Sequence, residues 1–177
     1  LSVFFVAVMS ANGKISRSHT ALVDWTSKAD LKWFKDITTK TGVVVMGRKT
    51  FETLRFPLPD RLNVVMTHEP HLYHNKCSNV LFTDILPDQL IKMLEKKGYN
   101  NIAVVGGQSI FTLFLKEKLV DEMYLTYEPI IFDGIDPFLD LNEEVRMKTM
   151  NVKFLDSGAW VVHYKIIHWE NENGKGI

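Results

Sequence analysis

The chain has 177 residues and 20.4 kDa, the size of one domain, and with 46% hydrophobic and 24% charged residues it is neither disordered, collagen-like nor of low complexity. Twenty-one basic and 21 acidic residues cancel to a formal charge of 0 at a pI near 7.2, so bulk electrostatics recruit neither nucleic acid nor an anionic membrane. The single cysteine, Cys77, excludes an intrachain disulfide, and no apolar run approaches the roughly 20 residues of a membrane span. A soluble cytoplasmic protein is expected. Leu1 in first place reads as the mark of a processed or trimmed chain. Val3 to Met9, lacking a basic leader and a small-residue cleavage site, reads as a strand and not a signal peptide.

Strand-like runs then alternate with helical periods. Ala11 to Lys14 is a turn, and the polar loop Ser16 to Asp24 leads into a helix from about Ser27 to Lys40 that Gly42 closes. Val43 to Gly47 is a short buried strand and Arg48 to Leu54 a short helix. Pro57 and Pro59 bracket a turn before a strand at Asn63 to Thr67. Val80 to Phe82 is another strand, Pro87 to Lys97 an amphipathic helix, and Ile102 to Val105 a strand. The pair Gly106-Gly107 then opens a helix from about Ser109 to Lys118. Glu122 to Ile131 and Ala159 to Trp169 are long strands without a clear helix between them, and the polar tail Glu170 to Ile177 is expected to fray. Alternation implies parallel pairing with right-handed crossovers, and the two late strands imply an antiparallel hairpin at one edge. The fold class is therefore α/β, in one domain over 1–177: a mixed, mostly parallel central sheet with helices on both faces and an antiparallel C-terminal edge hairpin.

In such sheets ligands bind at the carboxyl ends of the parallel strands. Two strand-to-helix joints stand there, Met46-Gly47-Arg48-Lys49-Thr50 and Val105-Gly106-Gly107-Gln108-Ser109. Each combines a glycine that admits a ligand to the backbone with helix-opening N–H groups that favour anions, and the first adds two cations. Together they resemble two walls of a site for a phosphate-bearing cofactor. Singly, each is also ordinary turn chemistry, and no G-x-G-x-x-G occurs.

In the early helix, Asp30 and Phe34 share a face with Leu31 beside them. A carboxylate among apolar side chains is desolvated and its pKa raised, which suits pairing with a proton-sharing heterocycle. Ser27-x-x-Asp30 equally has the form of a capping box, and spacing alone favours capping. His68, His71, His74 and Cys77 are metal-ligand types, but Pro70 breaks any helix there; a solvated loop and no metal site are expected. Trp33, Trp160 and Trp169 read as core or sheet-face residues.

Trp25, Asp30-Leu31-x-x-Phe34-Lys35, Val45-Met46-Gly47-Arg48-x-Thr50-Phe51-Glu52, Pro57-Leu58-Pro59-x-Arg61-x-Asn63-Val64-Val65, Val104-Val105-Gly106-Gly107 and Tyr124-Leu125-Thr126 follow one another in an order that resembles the dihydrofolate reductase family, over roughly residues 3 to 138. The resemblance implies NADPH-dependent reduction of 7,8-dihydrofolate, with hydride going to pterin C6 and a proton to N5. Asp30 matches the carboxylate that holds the pterin 2-amino group and N3, and Thr126 its hydroxyl partner. Leu31, Phe34, Leu54 and Leu58 match the apolar walls, and Val6 and Val105 the carbonyls facing the pterin. Arg61 matches the reader of the substrate's glutamate carboxylate, for which a guanidinium fork is suited. On the cofactor side, Arg48, Lys49, Thr67 and His68 match the surroundings of the adenosine 2′-phosphate. Gly106, Gly107, Gln108 and Ser109 match the pyrophosphate turn. Ala7, Ile15 and Phe111 match positions near the nicotinamide, and Gly47 and Thr50 the start of the helix between the two ligands.

The chain departs from the family's pattern in several places. Ser16 stands for a usual Gly, Asp24 for a Pro in a loop about two residues longer, Phe111 for a Tyr, and Arg55 where Gly is common. The riboflavin-pathway reductases of pyrimidine ribityl precursors resemble the same fold and share Gly13-Lys14-Ile15 and the Gly-Gly joint. Asp30 and Arg61 in their surroundings argue for folate.

Overall fold

The apolar run at the head of the chain forms β1 (Ser2–Ser10), whose side chains alternate between two cores: Val3, Phe5 and Met9 join one, Phe4 and Val6 the other. The computed structural model describes residues 1–73 and 77–171. Ser27 caps α1 (Lys28–Thr41), accepting the Asp30 N–H, and Gly42 ends the helix in the left-handed conformation at φ 78°, donating to the Thr38 and Thr39 carbonyls. Next come β2 (Val43–Gly47), the short α2 (Arg48–Glu52), β3 (Leu62–Met66), a single 3-10 turn at Pro70–Leu72, and β4 (Val80–Thr83). The chain continues through α3 (Pro87–Lys96), β5 (Asn101–Gly106), α4 (Gln108–Lys116), β6 (Glu122–Glu128), β7 (Glu143–Phe154) and β8 (Trp160–Asn171).

All eight strands join one sheet in the order β4-β3-β2-β5-β1-β6-β8-β7. The six strands from β4 to β6 pair in parallel; β8 runs antiparallel to both β6 and β7. Burial on both faces explains why the parallel strands read as continuous apolar runs. On one face α3 and α4 contribute Leu90, Leu94, Ile110, Phe111 and Phe114 to the core with Val3, Phe5, Val43, Val45 and Val104. On the other, Phe34 and Ile37 of α1 and Phe51 of α2 pack on Phe4, Val6, Val44, Met46 and Ala103.

The mixed, mostly parallel sheet is as expected, but its antiparallel end is built differently. The edge hairpin is β7 with β8, and β6 is an interior strand between β1 and β8. β7 escapes a reading based on hydropathy because its apolar residues are set among Glu143, Glu144, Arg146, Lys148 and Lys153, change phase at the irregularity between Thr149 and Asn151, and lie almost entirely exposed. Smaller corrections concern ends: α2 stops at Glu52 and not Leu54, and β6 stops at Glu128 and not Ile131. Trp33 is half-buried, Trp160 lies on an exposed sheet face, and the side chain of Trp169 and the tail from 172 on lie outside the described residues. No helix among the described residues is long and apolar enough to cross a membrane.

Candidate active site

A cleft of about 1280 Å³ opens at the carboxyl ends of β1, β2 and β5, between the apolar face of α1 and the heads of α2 and α4. This is the crevice that a sheet of this topology offers a ligand. Of the residues singled out from sequence, Val6, Ala7, Ile15, Asp30, Leu31, Phe34, Gly47, Arg48, Lys49, Thr50, Leu54, Leu58, Arg61, Thr67, His68, Val105, Gly107, Ser109 and Phe111 line it. Thr126, Gly106 and Gln108 do not line it: Thr126 is buried, and Gln108 donates through Nε2 to the Asp136 carbonyl at 2.9 Å.

Asp30 is the one carboxylate buried in this wall, 4% exposed, at the third helical position of α1. Burial raises its pKa from 3.8 to about 6; the Thr126 hydroxyl beside it opposes the shift by hydrogen bonding, and the charge of Glu128 adds to it. The capping box that Ser27-x-x-Asp30 suggests is only half made. Ser27 Oγ accepts the Asp30 N–H at 3.2 Å, but the return bond to Ser27 comes from Glu128, whose Oε1 accepts the Ser27 N–H at 2.8 Å and its hydroxyl at 2.6 Å. The capping reading of the Asp30 side chain is therefore corrected: its backbone is capped, and its carboxylate is left to the cleft.

Arg61 is 5% exposed yet lines the same cleft, with no acidic side chain paired to it among the described residues. Its Nε donates to the Pro59 carbonyl at 2.8 Å and its Nη1 to Thr38 Oγ1, which fixes the plane of the fork. Desolvation pulls its pKa below the usual arginine range, partly offset by nearby Asp60. A buried cation held this way is under-compensated until an anion reaches it.

At the other end, Gly106 is held to glycine by its backbone, and Gly107 sits in a tight place. Gly106 has φ +110°, and a Cβ there would lie 3.1 Å from the Phe111 ring; a Cβ on Gly107 would lie 3.1 Å from Thr50 Oγ1. Gly107 heads α4 without a side-chain cap, so the helix-opening N–H groups stay available. Arg48 is not idle: its Nη1 lies 2.8 Å from both Glu52 carboxylate oxygens, and Tyr73 Oη donates to Glu52 Oε1 at 3.3 Å. Lys49 is exposed beside it. This cation pair, the open helix head and the size of the cleft fit a phosphorylated dinucleotide.

The loop from Ser16 to Asp24 forms part of the cleft wall. Its root is held by paired bonds, Ile15 N–H to the Ile135 carbonyl at 2.9 Å and Ile135 N–H to the Ser16 carbonyl at 2.8 Å. Asp24, in the place of a proline, pairs with Arg17 at 2.5 Å. Among the described residues no group of three or more His, Cys, Asp or Glu side chains could hold a metal; His74 lies outside them. Glu128 and Glu52 are the residues that sequence reasoning missed. Glu128 was detectable in principle, because two positions beyond Thr126 on a strand puts it on the same face.

The dihydrofolate reductase family model matches residues 2–151. A dihydrofolate reductase of Haemophilus influenzae is 33% identical over 120 residues, 68% of this chain and 69% of its own. One from Buchnera aphidicola is 30% identical over 127 residues, 72% of this chain and 71% of its own. In three dimensions, a diaminohydroxyphosphoribosylaminopyrimidine deaminase/5-amino-6-(5-phosphoribosylamino)uracil reductase from Thermotoga maritima overlays 94% of this chain and 56% of that one, with a TM-score of 0.77 at 19% identity; the likeness is one of fold.

Proposed function

Since the chain belongs to the dihydrofolate reductase family, we propose that this oxidoreductase converts 7,8-dihydrofolate to 5,6,7,8-tetrahydrofolate at the expense of NADPH, as one cytoplasmic domain. The observation that carries the reading is Asp30, a carboxyl that borders the cleft and whose burial raises its pKa to about 6. When bound, the reduced nicotinamide supplies a hydride for pterin C6. The rest is the work of the chain. Asp30 accepts hydrogen bonds from the pterin 2-amino group and N3, and favours the protonated state at N5; Thr126 orients it. Leu31, Phe34, Leu54 and Leu58 exclude water from the ring, and the carbonyls of Val6 and Val105 face it. Arg61 holds the glutamate carboxylate of the substrate, and an incoming anion relieves its burial. Arg48 and Lys49, with Thr67 and His68, bind the adenosine 2′-phosphate, and Gly106 to Ser109 bind the pyrophosphate. Ala7, Ile15 and Phe111 border the nicotinamide, and Gly47 and Thr50 open the helix between the two ligands.

A buried, unpaired guanidinium also suits a phosphate, so the fold's riboflavin-pathway members supply the control. The test is loss of NADPH absorbance with dihydrofolate, beside the same assay with a ribosylaminopyrimidine phosphate. Turnover of dihydrofolate alone is expected. Turnover of the pyrimidine alone, or of neither, would sink the proposal.

A further inference from the structure

Glu128 is a second buried carboxylate, 5% exposed, that the chemistry above does not use. No basic side chain pairs with it among the described residues. A buried charge left without a cation is costly, so what it does bond to matters. Its Oε1 takes both donors of Ser27, the backbone N–H at 2.8 Å and the hydroxyl at 2.6 Å. The Ser27 oxygen in turn accepts from the Asp30 N–H at 3.2 Å and from the Ser157 hydroxyl at 2.9 Å. One donor and two acceptor places exhaust that hydroxyl. In an ordinary capping box the acid three residues after the cap would take the Ser27 N–H itself. Here that place is filled from β6, across 101 positions of sequence.

We propose that Glu128 is a positioning residue for Asp30: by occupying the capping place at the head of α1, it leaves the Asp30 carboxylate to the cleft and to Thr126. The proposal rests on the reading of Asp30 as the substrate-facing carboxylate. Thr126 and Glu128, both from β6, are the groups whose hydrogen bonding and charge act on Asp30, while His19, Asp24, Lys35 and Arg61 also line the cleft. Remove the Glu128 acceptor and the Ser27 N–H becomes available to Asp30, which then turns inward to complete its own box. A donor to the ionised form, together with loss of a like charge, lowers the pKa of Asp30.

The experiment is a carbon-13 NMR titration of the Asp30 carboxyl in the ligand-free protein, run with pH profiles of kcat/KM for the wild type, Glu128→Gln and Glu128→Ala. Glu128→Gln keeps an acceptor for Ser27 and removes the charge. Its Asp30 midpoint is expected to drop by at least about half a pH unit, carrying the pH profile with it. Glu128→Ala should lower the midpoint further and cost roughly tenfold or more in kcat/KM for dihydrofolate, because the carboxylate is displaced. Glu128→Gln should restore most of that loss. If both variants titrate at Asp30 like the wild type, or if Glu128→Ala shifts the midpoint no further than Glu128→Gln, Glu128 is at most a structural cap and a nearby charge, and the proposal falls; should Glu128→Ala not fold, Glu128→Leu, which also removes the acceptor but fills the space, takes its place. The catalytic reading fails separately, if Asp30→Asn keeps wild-type turnover while the titrations still shift.

Discussion

Asp30 stabilises the protein least where the enzyme would work. Its folded-state pKa, about 6, stands above the ordinary 3.8. The folded chain therefore favours the protonated form: this contribution to stability is complete below pH 3.8 and is lost as pH rises through 6. Asp30→Asn mimics the neutral form. At pH 8 it is expected to gain up to about 3 kcal/mol, a rise in Tm of roughly 5–10 °C that disappears near pH 4. Paired thermal melts at the two pH values check it. Turnover of dihydrofolate by the same variant should fall by orders of magnitude at pH 7, with the deficit shrinking in acid as solution protonation of N5 takes over. Stability and activity moving in opposite directions separates this from loss of a cap, where both would fall.

The two arginines differ in what they must give up on binding. Arg48 already has Glu52, so a cofactor phosphate has to displace that exposed pair. Arg48→Ala is expected to weaken NADPH by about tenfold while scarcely affecting NADH, and Glu52→Gln to tighten NADPH; fluorescence titration of both cofactors reads each effect. Equal losses for NADPH and NADH in Arg48→Ala would make Arg48 a purely structural residue. Arg61 has no paired acid among the described residues to give up. Arg61→Ala should raise KM strongly for dihydrofolate and much less for a dihydropterin without the glutamate tail, and a matching penalty on both would remove its assignment.

At the scale of elements, what could be read in the sequence was what local physics decides. Apolar runs buried on both faces, a helix bounded by Ser27 and Gly42, and glycines at two strand-to-helix joints all have signals a few residues long. The β7 strand had only a broken one: Val145 and Met147 alternate, Met150, Val152 and Phe154 alternate in the opposite phase, and charges between them guard the exposed edge. Spacing made Asp30 stand out but left its side chain open between the helix cap and the cleft. Spacing cannot distinguish a box closed by Asp30 from one closed by Glu128, since the second partner arrives from another strand. Likewise the Glu52 side chain on Arg48 follows from i,i+4 spacing, yet only the fold shows that the arginine it holds lines the cleft. The Gly106 joint offers a test at this scale. Its φ of +110° and the ring 3.1 Å from a would-be Cβ predict that Gly106→Ala costs 1–3 kcal/mol on the order-of-magnitude scale of backbone strain, seen as a lower denaturation midpoint together with weaker cofactor binding.

For the whole molecule, the cleft joins residues from β1, α1, β2, α2, β5 and α4, so a ligand that fills it ties both faces of the sheet together. NADPH at a hundred times its Kd should add about 2.7 kcal/mol by mass action, a rise in Tm of roughly 5–10 °C for a chain this long. A melt with NADH at equal concentration should rise less; identical shifts would argue against phosphate recognition. The position of β1 at the middle of the sheet has a different consequence, one for synthesis. This strand, the first in the chain, has β5 and β6 as its neighbours, and they begin only at Asn101 and Glu122. At 5–20 residues per second a ribosome needs roughly 5–20 s to travel from Ser10 to Asn101. For that interval the nascent chain carries Val3 to Met9 without either of its native neighbours. The same run of residues that becomes the centre of the finished sheet is thus, while the chain is being made, an adhesive apolar segment that a holding chaperone would be expected to bind.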